Sequence, residues 1–397
     1  METNTMIQKT EDYVLHTYNR YQIVFEKGEG VYLYDSEGKK YLDFAAGIGV
    51  NSLGYGNPKY KQALKDQIDS LTHISNLFYN EPLSCAAEKL VKATGLSKAF
   101  FTNSGTEAIE GALKAAKKYA YTKGRPEANT IIAMEHSFHG RSVGALSVTG
   151  NEPYRKPFIP LMPGAKFAEF NNFESVKALA DENTCAIILE TLQGEGGIYP
   201  ADEAFIKDVR ALCDEKDIVL IIDEVQCGMG RTGWFFAYQK YGIKPDIVTC
   251  AKALGCGVPV GAFVLNEKMA SSTLVAGDHG STYGGNPLVC RAVSTVFDLY
   301  EEENVIENVK TLTPVLEAAL DSLVDKYDIV KGRRGMGFMQ GLIIDPSVKV
   351  NDIILKAREE GLIVISAEGN VLRFLPPLII SKENIEEMLI KLSKALA

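Results

Sequence analysis

Short apolar runs alternate with longer segments of helical periodicity between about residues 57 and 300. The runs are KAFFTN, TIIAME, CAIILE, DIVLIID and DIVTC, and helical segments such as TEAIEGALKAAKKYA lie between them. Near-continuous apolar strands that alternate with helices are typical of a parallel sheet covered on both faces. The pattern therefore predicts an α/β fold with a mostly parallel central sheet.

The two ends of the chain follow a different pattern. Residues 20–44 contain short alternating runs, and VYLYDSEGKKYLDF places a DSEG turn between two of them, which predicts a hairpin. Residues 301–397 have mixed α+β character and end in an amphipathic helix that Ser381 is expected to cap. We expect residues 57–300 to form a large domain. Residues 1–56 and 301–397 are expected to build a smaller α+β domain together.

Composition narrows the choice of partners and compartment. The chain has 397 residues and a formal net charge of −9, which argues against a general nucleic-acid or anionic-membrane binder. The first residues lack the features of a signal peptide, and no apolar run approaches the roughly 18 residues of a membrane helix. Seven cysteines without CxxC spacing indicate reduced thiols. We expect a cytoplasmic protein without membrane or nucleic-acid partners.

Ligands of open parallel sheets bind beyond the carboxyl ends of the strands, so the residues that follow each strand are the candidates for a site. Ser104, Gly105 and Thr106 follow the first run and open a helix. Ser104 is a helix cap in the simpler interpretation. The same residues also suit a phosphate, because a helix N-terminus offers N–H groups and the side chains add two hydroxyls.

The next two strands end in HSFHGR and TLQGEGG. Phe138 offers an aromatic face and Arg141 a fork for a carboxylate. The HxxH spacing of His136 and His139 raises the alternative of a metal site, but no carboxylate or cysteine cluster supports it. We therefore expect no metal. Glu195 lies on a glycine-rich loop, where an ordinary surface glutamate is a strong alternative.

Asp223 and Lys252 follow the last two buried strands. A buried carboxylate needs a cationic or donor partner. An apolar strand that ends in Asp-Glu also resembles the magnesium strand of nucleoside triphosphatases, but the GxxxxGK[ST] loop is missing from the sequence. Burial lowers the pKa of a lysine and makes its amine a nucleophile, whereas a lysine paired with a carboxylate is the structural alternative.

These candidates together describe one ligand. A phosphate fits Ser104, Gly105 and Thr106, and a flat ring fits Phe138. A protonated ring nitrogen fits Asp223, and an aldehyde fits Lys252. The set predicts pyridoxal phosphate, held as a Schiff base on Lys252.

At this point the sequence resembles the class III aminotransferases, from about residue 20 to the end. The motifs that carry the resemblance are YLDFAAGIGVNSLGYGNP, FFTNSGTEAIEGALKAA, HSFHGR, QGEGG, IIDEVQCGMGRTG, AKALGCGVPVGA, GSTYGGNP and LRFLPP. The resemblance implies fold type I, that of aspartate aminotransferase. Relatives commonly have proline where this chain has Thr191 and glycine where it has Cys256, which leaves the shape of the loop near Glu195 open.

The resemblance implies a role in cofactor binding for several residues. Lys252 would form the Schiff base, and Asp223 would face the pyridine nitrogen. Gln226 would donate to the ring hydroxyl oxygen, while Val225 and Phe138 would enclose the ring. In relatives, the threonine at the position of Thr282 reaches the phosphate bound in the other subunit. The resemblance therefore implies a homodimer with shared active sites.

The resemblance also implies how substrates bind. Arg141 would clamp the α-carboxylate of the donor with help from Ser281. Arg373 would receive the α-carboxylate of 2-oxoglutarate, and Glu195 would pair with Arg373 while the donor is bound. Lys252, Asp223 and Glu195 are the residues that we expect to act in catalysis.

The donor is predicted from one position. Ile48 stands where ornithine aminotransferases have a tyrosine that helps hold the α-amino end of ornithine. Isoleucine cannot accept a hydrogen bond from an ammonium but can pack beside an acetyl methyl. We therefore expect N-acetylornithine as donor in arginine biosynthesis, with 2-oxoglutarate as acceptor. The alternatives are ornithine, 4-aminobutyrate, succinylornithine or succinyl-diaminopimelate as donor, an aminomutase or decarboxylase, and a non-catalytic pyridoxal phosphate binder.

Overall fold

The computed structural model describes residues 3–397 of the chain. The α-helices of this part are α1 Thr3–Tyr13, α2 Ala46–Gly49, α3 Pro58–Ser70, α4 Glu81–Thr94, α5 Gly105–Thr122, α6 Val143–Ser147, α7 Glu152–Arg155, α8 Phe173–Leu179, α9 Glu203–Lys216, α10 Glu267–Ser272, α11 Pro287–Glu302, α12 Val305–Lys326, α13 Val350–Glu359 and α14 Lys382–Leu396. The strands are β1 Phe25–Glu29, β2 Tyr32–Asp35, β3 Lys40–Asp43, β4 Lys98–Thr102, β5 Thr130–Met134, β6 Ala165–Ala168, β7 Thr184–Glu190, β8 Leu192–Gln193, β9 Tyr199–Pro200, β10 Val219–Asp223, β11 Ile247–Cys250, β12 Gly261–Leu265, β13 Val330–Met336, β14 Met339–Ile344, β15 Leu362–Ile363, β16 Ile365–Ala367 and β17 Val371–Phe374.

Seven strands form the central sheet, in the order β4-β12-β11-β10-β7-β5-β6. Strand β12 runs antiparallel to both of its neighbours, and the other six strands run in one direction. The α/β fold with a mostly parallel sheet, predicted from the alternation of apolar runs and helices, is confirmed.

Both faces of this sheet are covered, which explains why its strands are almost continuously apolar. Along β10, Leu220 and Ile222 belong to the larger core cluster, whereas Val219 and Ile221 belong to the cluster on the opposite face. Successive side chains of a strand point to opposite faces, so each residue of such a strand has to be apolar.

One of the smaller sheets joins the two ends of the chain. Strands β2 and β3 form the predicted hairpin, and β3 continues in parallel pairing with β15, where Leu42 lies opposite Leu362. The other small sheet has the order β13-β14-β17-β16. The pairing of β3 with β15 supports a smaller unit built from both ends of the chain, while its boundaries at 56 and 300 stay a prediction.

Helix α14 closes the chain as its sequence pattern predicts. The Ser381 hydroxyl accepts the N–H of Asn384, and Ile385, Met388 and Leu392 are buried. Of the helices in residues 3–397, none combines the length and the apolar character that crossing a bilayer requires.

The direction of the sheet strands determines where a site can form. Strands β4, β5, β7, β10 and β11 all end at the same edge of the central sheet. The residues that follow these five strands therefore meet at that edge, although 148 positions separate Ser104 from Lys252 in the sequence.

Candidate active site

A cavity of about 480 Å³ opens at the carboxyl edge of the central sheet. It brings together nine of the predicted site residues. These are Ser104, Gly105, Thr106, Phe138, Arg141, Asp223, Val225, Gln226 and Lys252.

The N-terminus of α5 forms one wall of the cavity. The Ser104 hydroxyl accepts the N–H of Glu107 at 3.3 Å, as expected for a capping residue. A methyl group on Gly105 would lie 2.9 Å from the Val225 side chain, so glycine is required at this close approach. The first N–H groups of a helix have no partner within the helix, and α5 thus presents donors to an anion in the cavity.

Asp223 is buried at the end of β10 and surrounded by donors. Its carboxylate lies 2.7 Å from His139 Nδ1 and accepts hydrogen bonds from the Thr249 hydroxyl at 3.1 Å and the Val225 N–H at 3.0 Å. These contacts fix the orientation of the carboxylate, and Asp223 lines the cavity. His139 was not predicted as a partner of Asp223; the requirement of a buried aspartate for a donor was the signal that could have found it.

The HxxH motif does not act as one unit. His139 pairs with Asp223, whereas the His136 ring nitrogen lies 3.2 Å from a carboxylate oxygen of Glu368. Within residues 3–397, no group of three histidine, cysteine or acidic side chains has a metal-binding arrangement.

Lys252 opens a short 3-10 turn directly after β11 and faces the cavity. Its backbone is left-handed, with φ +48°, which is uncommon for a residue with a side chain and is typical of functional sites. Burial lowers the pKa of the Lys252 amine, although Asp223 and Glu195 act in the opposite direction. The amine is therefore more readily deprotonated than a surface lysine, as a nucleophile or base requires.

Glu195 and Arg373 form a bidentate ion pair. Arg373 Nη1 donates to Glu195 Oε1 at 2.7 Å and Nη2 donates to Oε2 at 3.3 Å, while Gln226 Oε1 accepts from Nη1 at 3.2 Å. Burial would raise the pKa of Glu195, but the Arg373 guanidinium holds it below its usual value. Glu195 is thus a half-buried ion-pair partner of Arg373 and not a solvated surface glutamate.

Arg141 has a different environment from Arg373. Its guanidinium carbon lies 3.8 Å from the centroid of the Tyr154 ring and 5.4 Å from that of Phe138. No carboxylate of residues 3–397 lies within ion-pair distance of Arg141. This exposed guanidinium at the cavity wall is available to an anionic ligand.

Ser281 and Thr282 lie outside the cavity of their own chain. The Ser281 hydroxyl accepts a hydrogen bond from the Asn103 amide at 3.2 Å, and Thr282 is exposed. The structure of one chain does not bring these two predicted residues to the other site residues.

Glu190 lines the cavity, although no pattern in the sequence predicts it as a site residue. It is buried at the end of β7, beside Asp223 in the next strand, and accepts the N–H groups of Phe138 at 3.2 Å and Gly194 at 3.3 Å. Burial raises its pKa to about 7. Glu190 connects the loop that carries Phe138 with the loop that carries Glu195.

The residues of the cavity fit pyridoxal phosphate. The free N–H groups at the α5 N-terminus suit the phosphate, and a Cβ at Gly105 would collide with the Val225 side chain, so only glycine leaves this space open. The Asp223 carboxylate suits a protonated ring nitrogen, and the Lys252 amine suits an aldehyde. Phe138 and Val225 both line the cavity and offer apolar surface to a ring.

Comparison with known proteins agrees with this assignment. The family model described as aminotransferase class-III matches residues 13–396. The chain is 46% identical to the acetylornithine aminotransferase of Methanocaldococcus jannaschii, over 98% of this chain and 97% of that protein. It is 48% identical to the acetylornithine aminotransferase of Aquifex aeolicus, over 94% and 97%. The crystal structure of the ornithine aminotransferase from Toxoplasma gondii superimposes with a TM-score of 0.95 at 30% identity, over 100% of this chain and 95% of that chain.

Proposed function

Because the chain belongs to the class III aminotransferases, which depend on pyridoxal phosphate, we propose that it transfers the terminal amino group of N-acetylornithine to 2-oxoglutarate. The products are N-acetylglutamate 5-semialdehyde and glutamate. The observation that carries this proposal is the difference between two arginines. Arg373 is paired with Glu195, whereas Arg141 lines the cavity with Lys252 and Asp223 and is available to a carboxylate. The relatives from Methanocaldococcus jannaschii and Aquifex aeolicus are both named acetylornithine aminotransferase.

The cofactor, when bound, supplies an aldehyde that condenses with amines and a ring that accepts the electron pair left by a departing proton. Gly105 and Thr106 would hold its phosphate at the α5 N-terminus. Asp223 would keep the ring nitrogen protonated, and Gln226 would donate to the ring hydroxyl oxygen. Phe138 and Val225 would enclose the ring.

Lys252 is the residue that moves the proton. Its amine has a lowered pKa, so Nζ can take the proton from the donor carbon that bears the reacting nitrogen. The same amine returns the proton at the end of the half-reaction. No other lysine lines the cavity of residues 3–397, so the transfer depends on this side chain.

The two arginines separate the two substrates. Arg141 binds the α-carboxylate of the donor. Arg373 binds the α-carboxylate of 2-oxoglutarate, and Glu195 occupies that position while the donor reacts. A bidentate carboxylate partner such as Glu195 is a close mimic of the substrate carboxylate that replaces it.

The active unit in this proposal is a homodimer. Large apolar side chains such as Leu77 and Tyr79 are exposed, at 86% and 104%, on the single chain. Thr282 is exposed and lies outside the cavity of its own chain. In the dimer, Thr282 of each chain would reach the phosphate site of the other.

The preference for N-acetylornithine over ornithine depends on Ile48. This side chain is 44% exposed and lies two residues before Val50, which lines the cavity. Isoleucine offers no acceptor to an ammonium, and leaving a cation without a partner costs more than the loss of one methyl contact, about 1 kcal/mol. Ornithine and succinylornithine are the alternative donors, since the pocket for the acyl group is not defined by a single residue.

A panel of amine donors with 2-oxoglutarate tests this function. We expect glutamate to form with N-acetylornithine at the highest rate and with 4-aminobutyrate only slowly, because that shorter donor does not span the distance to Arg141. Product formation over many turnovers without any keto acid would identify an aminomutase or a decarboxylase instead. A chain that binds the cofactor but forms no glutamate with any donor would be a non-catalytic binder.

A further inference from the structure

Among residues 3–397, no acidic side chain pairs with Arg141, so other contacts fix the loop that carries it. The next residue, Ser142, connects that loop to helix α5 through two side chains. The Ser142 hydroxyl donates to Glu110 Oε1 at 2.6 Å and lies 2.7 Å from the Thr106 hydroxyl oxygen. The Ser142 N–H also donates to the Thr106 hydroxyl oxygen at 3.3 Å.

The directions of these hydrogen bonds follow from the chemistry of the partners. An ionised carboxylate only accepts, so the proton of the Ser142 hydroxyl is used by Glu110. The Thr106 hydroxyl must then donate to the Ser142 oxygen. Thr106 therefore donates to Ser142, and Ser142 donates to Glu110. The negative charge of Glu110 strengthens the second of these two hydrogen bonds.

The two glycines beside these hydrogen bonds leave no room for a side chain. A methyl group on Gly140 would lie 2.3 Å from the Thr106 hydroxyl oxygen, and one on Gly144 would lie 2.2 Å from Glu110 Oε2. Glu110 also accepts the N–H of Ala145 at 3.1 Å. The loop 140–145 is thus bound to α5 on both sides of Arg141.

We propose that Ser142 is a positioning residue for the substrate carboxylate: with Glu110 and Thr106 it holds the backbone of Arg141 where the guanidinium meets the donor. This inference rests on the proposed role of Arg141 as a carboxylate clamp. It adds that the clamp depends on a hydroxyl that itself contacts neither substrate nor cofactor. Small displacements of a positioning group are costly for catalysis, which gives the inference a measurable consequence.

Two amine donors that differ only in the α-carboxylate measure the contribution of Arg141 apart from the rest of the reaction. N-acetylornithine carries the α-carboxylate, and N-acetylputrescine is the same amine without it. The ratio of their kcat/KM values, N-acetylornithine over N-acetylputrescine, measures the contribution of the carboxylate. Arg141→Met should bring this ratio close to one. Ser142→Ala should lower the ratio about tenfold, as expected for one lost charge-assisted hydrogen-bond chain. Ser142→Thr, which keeps the hydroxyl, should restore the ratio.

The affinity for the cofactor supplies a second readout. Ser142→Ala frees the Thr106 hydroxyl, which then has the phosphate as its acceptor, so the Kd for pyridoxal phosphate in an absorbance titration should not rise. Ser147→Ala is the matched control, because Ser147 ends the short helix that Ser142 caps, and its hydroxyl donates to Val143 O at 2.7 Å and accepts the N–H of Met162 at 2.9 Å, neither of which belongs to α5. This control should leave both readouts unchanged. If Ser142→Ala does not fold, Glu110→Gln tests the same hydrogen bonds. It should also lower the ratio of kcat/KM for the two donors.

The outcomes distinguish the inference from the function on which it rests. If Arg141→Met lowers the donor ratio but Ser142→Ala does not, the role of Ser142 is wrong and the clamp stands. If Arg141→Met leaves the ratio unchanged, the proposed clamp itself is wrong. If Ser142→Ala weakens both donors equally and raises the Kd of the cofactor, Ser142 supports only the phosphate site and the inference fails.

Discussion

At the residue scale, the pair of Glu195 and Arg373 is the contact with the clearest functional consequence. The two residues are 178 positions apart, and Arg373 is only 3% exposed. Glu195 supplies the carboxylate partner of this buried guanidinium, and removing one member of a buried ion pair costs several kcal/mol. In the proposed function, Glu195 and the α-carboxylate of 2-oxoglutarate fill the same place in turn.

This exchange predicts different defects for the two residues. Arg373→Ala should weaken 2-oxoglutarate by about 2–5 kcal/mol, because its carboxylate loses a bidentate partner, and should affect the donor half-reaction less. Glu195→Ala should leave Arg373 without a partner during the donor half-reaction and let ordinary α-amino acids compete. Single-turnover rates of the two half-reactions measure both effects. Equal damage to both half-reactions in both variants would contradict the exchange.

A second residue-scale prediction concerns Glu224, which is buried next to Asp223. Its carboxylate accepts the N–H groups of Ala237 at 2.8 Å and Tyr238 at 2.9 Å, and the hydroxyl of Thr191 at 3.1 Å. Burial raises the pKa of Glu224 to about 7. Between its unfolded pKa and this value, the folded chain binds more protons than the unfolded chain, so the contribution of Glu224 to stability falls as pH rises through that window.

Glu224→Gln removes this dependence. The melting temperature of the variant relative to the native chain should therefore increase from about pH 5 to about pH 7 and then level off. Glu182→Gln, at an exposed position, is the control and should show a constant difference. A difference for Glu224→Gln that does not change with pH would show that this carboxyl is not protonated in the folded chain.

The sequence alone identified some of the site residues but not the residues that contact them. Lys252 and Asp223 are identifiable because a charged residue directly after a buried strand is costly unless it is used. The contacts of Asp223 with His139, and of Glu190 with Phe138 and Gly194, depend on which strands are neighbours. Strand order is decided by tertiary packing, so the sequence can show that Asp223 needs a donor but not which residue supplies it.

At the scale of elements, the turn at residues 46–49 is the most unusual feature of the backbone. Four consecutive residues are left-handed, with φ values of +47° for Ala46, +63° for Gly47, +64° for Ile48 and +74° for Gly49. This conformation costs a residue with a side chain about 1–2 kcal/mol, and a β-branched residue such as Ile48 is a true outlier. Such strain persists only where surrounding contacts hold it.

Asp43 supplies those contacts. One carboxylate oxygen accepts the N–H groups of Ala45 and Ala46, both at 2.9 Å, and the other accepts the Tyr55 hydroxyl at 2.6 Å. Asp43→Ala should release the turn, displace Ile48 and lower the kcat/KM for N-acetylornithine relative to ornithine by about tenfold. Steady-state kinetics with both donors measures this change.

The chain contains a closely matched control for Asp43. Asp35 accepts the N–H groups of Glu37 at 3.0 Å and Lys39 at 2.9 Å and the Tyr41 hydroxyl at 2.8 Å, in a hairpin whose residues do not line the cavity. Asp35→Ala should lower the melting temperature without changing the donor preference. If Asp43→Ala behaves in the same way, the strained turn has no part in specificity.

At the scale of the whole molecule, the sequence predicted the layers of the fold but not every direction within them. The alternation of apolar runs and helices predicted the central sheet because both of its faces are buried. The antiparallel direction of β12 was not predicted, since the apolar run GAFVL has the same pattern in either direction. The places of Ser281 and Thr282 relative to a second chain depend on assembly, which a single chain does not show.

The proposed homodimer with shared active sites predicts that two defective chains can complement each other. Lys252→Ala should abolish turnover, and Thr282→Asp should do so by placing a carboxylate against the phosphate of the other chain. A mixture of the two, unfolded and refolded together, should regain about one quarter of the native activity, because half of the dimers are mixed and each contains one intact site. Thr282→Ser should remain active. Absence of recovery, with mixed dimers shown to be present, would contradict the contribution of Thr282 across the interface.

The central claim is that this aminotransferase acts on N-acetylornithine, and the most direct test is the ratio of kcat/KM for N-acetylornithine and ornithine. Both assays use purified holoenzyme at one pH with saturating 2-oxoglutarate and follow glutamate. We predict a ratio well above one, because Ile48 leaves the ammonium of ornithine without an acceptor. A ratio of one or below would contradict the claim and assign the chain to ornithine.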